Sequence, residues 1–272
     1  MIRLKRLFYT VWVSALTLTC WSAGVCLVPF RLHAQTTTPV TISSQQLPPQ
    51  LRGFLTKLGN RLTVPGQERA VMVGSLTRYV AGAAQTSSVR VTTQLWGKAR
   101  IDNLTAGTSI GTNGAQLWAS SGALSPDDAG LLETILNDDM GHFLYSIASG
   151  SGGRFLGARF RFDDGSTPNY IGPYYDVYTL SDSVLTQNSP IDRWRVYCIN
   201  SDLGLLDRVQ YGPSVSGAAA SGQTTLTGWQ VFQGQKFPTQ IQRLASSGAT
   251  VFSFTFSSIS VGPSMADGLF QP

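Results

Sequence analysis

Apolar and polar residues alternate in short runs along most of this chain, and only two to five residues of turn-forming type separate one run from the next. Val89, Val91 and Leu95 face one way while Arg90, Thr92 and Gln94 face the other, and Phe252, Phe254 and Phe256 alternate with Ser253, Thr255 and Ser257. Asp164-Gly165 follows Arg159-Phe160-Arg161-Phe162, Asn200-Ser201-Asp202 precedes Gly204-Leu205-Leu206, Gln233-Gly234-Gln235 precedes Phe237-Pro238, and Ser246-Ser247-Gly248 precedes the Phe ladder. Parallel strands need crossovers of roughly a dozen residues or more, so connections this short impose an antiparallel meander. The pattern gives roughly ten to twelve strands, more than an open twisted sheet holds flat, so strong curvature is expected. With no internal repeat and no second linker, the chain reads as one mainly β (α+β) domain.

About two helices interrupt the strands. Leu51, Phe54, Leu55, Leu58 and Leu62 recur at helical spacing behind Pro48-Pro49. Ser125-Pro126-Asp127-Asp128 then offers an N-cap hydroxyl, a proline in the first turn and an acid at the third position, which is a capping box. Leu131, Leu132, Ile135, Leu136, Phe143, Leu144 and Ile147 follow, with a gap near Asp139 and Gly141, and the Gly-rich stretch 148–153 ends the run. One face of this helix is apolar throughout and needs a sheet to cover.

The formal charge of +5 and pI near 9.3 point towards nucleic acid only until the basic residues are located. Arg3, Lys5, Arg6 and Arg31 lie in the first 34 residues, which hold no acid; beyond Ala34 sixteen basic side chains face fifteen acidic ones. No basic run with interleaved aromatics follows, which argues against nucleic acid as a partner. The basic start, the apolar run from Leu7 to Phe30 and the small Ala34 read as a signal peptide over 1–34, cleaved after Ala34 or retained as an anchor, so the bulk of the chain is expected outside the cytoplasm. Residues 35–48, rich in Thr, Ser, Gln and Pro, read as a flexible linker to a domain spanning 49–272. Cys20 and Cys26 fall within the apolar segment, preceded by Thr19 and Val25 where lipidation needs a small residue. Cys198 is then the single thiol of the mature chain, and an internal disulfide is impossible.

Signals for catalysis are sparse, and no enzymatic activity or cofactor is expected. His142 is the only histidine after the export segment, no Gly-x-Ser-x-Gly elbow accompanies it, and metal ligands are too few for zinc. Four residues after Asp138 on one helix, His142 reads as an ion-pair partner or as a helix-terminal histidine at the negative end of the dipole. Asp127-Asp128 caps a helix, Asp138-Asp139 diverges on one and Asp163-Asp164 belongs to a turn; only carboxylates from distant strands, such as Asp176 and Asp207, leave room for a hydrolase. Trp96, Trp118, Trp229, Phe160 and Phe254 fall in predicted strands together with further aromatics, most of them core. A curved sheet closed by only two helices, with Leu136 and Phe143 on the helical side, leaves space for an apolar cavity.

Several motifs in the C-terminal third are similar to those of a known family. Ser201-Asp202-Leu203-Gly204-Leu205-Leu206-Asp207-Arg208-Val209 resembles the "T-G-L-L-x-R-V" hairpin of LolA-like proteins, the periplasmic outer-membrane lipoprotein carriers and their relatives. Thr227 to Ile241 resembles the family's strand, glycine turn and "x-F-P-x-x-I" strand. Phe252 to Phe256 and the tail through Pro263, Asp267, Leu269-Phe270 and Pro272 are similar to its closing strand and "F-x-P" end. Gly97 to Asp102 resembles the strand that carries an Arg in the carriers' cavity, and Gly114 to Trp118 the strand after it. The strand before Arg100 lacks the family's usual proline, and the segment 149–153 has no counterpart.

The resemblance implies an unclosed half-barrel whose concave face, covered by helices, binds a lipid, an acyl chain or a lipidated protein in the periplasm, with transient membrane contact. It makes Arg100, Trp96, Trp118, Leu136, Phe143, Phe160, Trp229 and Phe254 candidate ligand contacts. For Arg100 the alternative is an outward-facing arginine paired with Asp102, two residues on and so on the same side of the strand. The competing function is an envelope protein-interaction or stress-sensing module on the same fold.

Overall fold

The computed structural model describes residues 41–272 apart from 60, 64, 67, 96, 151–153, 161–172, 181–194, 212–220 and 267. Twelve strands pair antiparallel into one open sheet in the order β5-β4-β3-β2-β1-β14-β13-β10-β9-β8-β7-β6. These are β1 (Arg69–Val80), β2 (Ala83–Gln94), β3 (Lys98–Asn103), β4 (Thr108–Asn113), β5 (Leu117–Ala119), β6 (Arg154–Phe160), β7 (Tyr175–Leu180), β8 (Arg195–Asn200), β9 (Leu205–Tyr211), β10 (Gly222–Thr227), β13 (Gln240–Ala245) and β14 (Thr250–Val261). A two-stranded ribbon, β11 (Gln230–Phe232) and β12 (Gln235–Phe237), fills the β10–β13 connection. The expected meander is therefore present as an unclosed, curved sheet. The β1–β2 turn is Ala81-Gly82, with positive φ at both residues (49° and 82°), a geometry whose twist matches that of the strands.

Three α-helices, not two, lie on the inner face: α1 (Pro49–Lys57), α2 (Pro126–Asn137) and α3 (Met140–Ala148). The second predicted helix is thus two. Asp138 ends α2, and Asp139 leaves helical geometry to accept the His142 backbone N–H as the N-cap of α3 (3.1 Å). The gap in apolar spacing near Asp139 and Gly141 marks that break. At the head of α2, Ser125 Oγ accepts the Asp128 N–H (3.1 Å), the N-cap half of the expected capping box, and its hydroxyl also donates to the Asp128 carboxylate (2.7 Å). The helix break also corrects the placement of His142. It occupies the first turn of α3, at the positive end of the helix dipole, with its ring Nε2 3.4 Å from Ser146 Oγ.

The inner face carries two adjoining apolar clusters. One joins α2 (Leu131, Leu132, Ile135, Leu136) to β1, β2, β3 and β14, including Phe252, Phe254 and Phe256. The other joins α1 and α3 to β7, β8, β9 and β10 and contains Phe143, Tyr178, Tyr197 and Tyr211. Part of the expected linker belongs to this second cluster. Ile42 and Leu47 are buried in it, and the Ile42 N–H donates to the Leu62 carbonyl (2.9 Å), so ordered packing begins before residue 49. Among the described residues no helix is long and apolar enough to cross a membrane.

Candidate functional site

Alternation along β3, β4 and β5 assigns each of their residues to one face. Ala99 pairs with Thr112, Ile101 with Ile110, and Ile110 with Ala119, all facing inward with α2; Arg100 pairs with Gly111, and Gly111 with Trp118, facing outward. On the inner side, a cavity of about 150 Å³ opens between these strands and the head of α2. Leu76, Val89, Ile101 and Ile110 form its apolar wall, and Arg78 and Asp128 stand at its edge with Asn103 and Thr108. Arg78 Nη2 lies 2.6 Å from Asp128 Oδ1, tying the first turn of α2 to β1. The two hydrogen bonds from Ser125 and the Arg78 charge outweigh the desolvation of Asp128, and its carboxyl is held below the ordinary carboxylate value.

The other end of α2 is tied more deeply. Arg195, on β8 and 2% exposed, donates from Nε to Asp138 Oδ1 (3.1 Å) and from Nη2 to Glu133 Oε2 (3.2 Å). The Tyr211 hydroxyl and Thr224 Oγ1 also bond the Asp138 carboxylate, and the Tyr197 hydroxyl donates to the Asn137 carbonyl (2.8 Å). Burial raises the Asp138 carboxyl above its ordinary value in spite of the neighbouring Arg195 and Arg243 charges. Burial also disfavours the Arg195 charge, but Asp138, Tyr197 and Glu133 together hold the guanidinium above its ordinary value. These residues were not among the sequence candidates. The available signal was Glu133 and Asp138 in an otherwise apolar helical run, and Arg195 at the inward parity of Tyr197 and Ile199.

The sequence candidates do not converge on one site. Leu136, Phe143 and Phe254 do face inward, but as packed core: Phe143 lies 5.0 Å from the Tyr197 ring and Phe254 5.7 Å from that of Phe256. None of the three lines the cavity. Trp229 lies in the connection after β10 and packs against the α1–α3 cluster. The Phe160 backbone is in β6 opposite Tyr175, and Trp96 lies outside the described residues.

Arg100 and Trp118 occupy the outer face, which corrects the cavity placement of both. Arg100 Nε donates to Asp102 Oδ1 (2.7 Å), the pairing that its two-residue spacing allows. The cause is register: Ile101, not Arg100, takes the inward position. Asp176 and Asp207 are each engaged at the β8–β9 turn, Asp176 accepting Ser201 Oγ (3.0 Å) and Asp207 accepting Asn200 Nδ2 (2.8 Å).

An unclosed antiparallel half-barrel with helices seated on its inner face is the architecture of the LolA superfamily, and this chain has that fold. It is similar to a LolA-superfamily protein of Nitrosomonas europaea (15% identity, TM-score 0.50, covering 82% of this chain and 97% of that one). It is also similar to a domain assigned to an outer-membrane lipoprotein-sorting protein of Vibrio parahaemolyticus (11%, TM-score 0.53, 80% and 95%) and to a DUF1329-family protein of Desulfovibrio piger (11%, TM-score 0.51, 80% and 95%). No protein-family model and no curated protein sequence matches the chain. At such identities the likeness defines the fold, and function has to be argued from the site.

Proposed function

We propose that this protein works in the periplasm as a non-enzymatic carrier or receptor that shelters an acyl chain, from a lipid or a lipidated protein, on the inner face of its half-barrel. One observation carries the reading: α2 covers an apolar wall with a cavity beside it, and a charged contact ties each of its ends to the sheet. The cavity, about 150 Å³ and bordered by Arg78, Asn103, Thr108 and Asp128 as well as by its apolar wall, is too small for a long acyl chain. A long acyl chain therefore enters only as α2 lifts, exchanging the helix's apolar face for methylenes worth about 0.8 kcal/mol each on burial. Exposed Tyr79, Val80, Leu104 and Val251 lie at the same end of the sheet as Arg78, since Arg78 pairs with Phe252 and the Leu104 N–H bonds Ser88. An apolar rim beside the cavity mouth suits transient contact with a membrane. Residues 1–34 serve as the export signal and route the chain to that compartment.

The test is titration of the delipidated protein with a fluorescent fatty-acid probe. Saturable binding is expected, and Ala119→Phe, which pushes a ring into the cavity, should weaken it at least tenfold while the melting transition is retained. A flat titration of the wild-type protein refutes the reading.

A further inference from the structure

The outer face of β3–β5 holds a second, separate site. Gly111 leaves room for the Trp118 ring to lie against the sheet: a Cβ there would sit 2.3 Å from Trp118 Cζ2. Trp118 is buried and aims its indole N–H at the Phe270 carbonyl (2.9 Å), while Arg100 Nη1 donates to the Leu269 carbonyl (3.1 Å). Phe270 is 6% exposed, and Asn113 Nδ2 reaches the Gln271 side chain (3.3 Å). Two consecutive carbonyls are thus read by side-chain donors, and one aromatic residue is anchored between them.

The chemistry of the site selects for neutral backbone. The Arg100 charge is already met by Asp102, which also accepts Ser109 Oγ (2.6 Å), so an anion gains little here; the indole N–H is a donor only. The resident segment is held by side chains of the sheet and not by strand pairing. It follows Gly262-Pro263 without joining the ladder, and among the described residues its backbone-to-backbone bonds are the local ones from Leu269 N–H to Ala266 and from Gln271 N–H to Gly268. We propose that this face is a peptide-docking site, held here by the chain's own Leu269–Gln271 segment, which accepts in its place a turn-forming, aromatic-anchored peptide of a second protein. It faces away from the proposed acyl cavity and does not depend on it.

The experiment uses the full chain and a labelled peptide with the sequence of residues 265–272. Phe270→Ala removes the anchor of the resident segment, and this variant should bind the peptide saturably and at least tenfold more tightly than wild type, because the cis competitor has a high effective concentration. Adding Trp118→Phe, which keeps a ring and deletes the N–H, should reduce that binding at least tenfold. Absence of binding to folded Phe270→Ala, equal binding to variant and wild type, or indifference to Trp118→Phe would each overturn the proposal. If Phe270→Ala does not fold, millimolar peptide added to the wild-type chain must shift the Trp118 indole N–H resonance, and an unmoved resonance overturns it equally.

Discussion

Folding moves the two carboxyl groups at opposite ends of α2 in opposite directions, because burial dominates at Asp138 while hydrogen bonds and the Arg78 charge together outweigh it at Asp128. Asp128 has a folded value below its unfolded one. Its contribution is present above the unfolded value near 3.8 and is lost as pH falls through the folded value, so the wild-type advantage over Asp128→Asn should shrink on acidification in denaturant titrations. Asp138 is raised on folding, so its contribution is present below 3.8 and is lost as pH rises through the folded value; the corresponding difference for Asp138→Asn should move the other way. Arg195→Met should cost about 3–5 kcal/mol, since it removes the guanidinium that two buried acids share. Adding Asp138→Asn to that variant should recover part of the loss, and a strictly additive double variant would refute the coupling. The Cys198 thiol, pushed up to about 12 chiefly by burial, should label with a thiol reagent only at the rate of unfolding.

Element boundaries were legible wherever a local hydrogen bond sets them. Ser125 starts α2 as its N-cap, with Pro126 in the first turn, and Ser125→Ala should lower stability by about 1 kcal/mol in chemical denaturation. The break between α2 and α3 was present only as a lapse in apolar spacing. Asp138 turns from helix propagation to the β8 and β9 side chains, and Asp139 is then free to cap α3 and to meet Arg61 Nη1 (2.9 Å). His142 consequently belongs to a helix start, a position that spacing from Asp138 along one continuous helix could not reveal. Strand faces were readable from alternation, but which strand residue faces inward at Arg100 was not, because a one-residue slip in register exchanges the two faces.

For the whole molecule, the lifting of α2 makes a kinetic prediction. Arg78→Gln releases the helix at its half-exposed end, so it should speed uptake of a long-chain fluorescent probe at least threefold in stopped-flow mixing while costing no more than about 1 kcal/mol of stability. An unchanged rate would mean that α2 does not govern entry. The antiparallel pairing, the curved open sheet and the start of α2 are all legible in the amino-acid order, since each follows from local periodicity, turn length or capping chemistry. The order of motifs from about residue 50 to the Phe-x-Pro tail also pointed to the LolA-like fold. Which side chains meet across the fold is a matter of long-range packing. Arg195 finds Glu133 and Asp138 more than fifty residues away, the tail finds Trp118 across 152 residues, and the cavity wall comes from strands whose inner face is set by pairing. Such contacts carry no local signature, because they depend on sheet register and helix placement, which the chain reaches only when its two apolar clusters pack on one face.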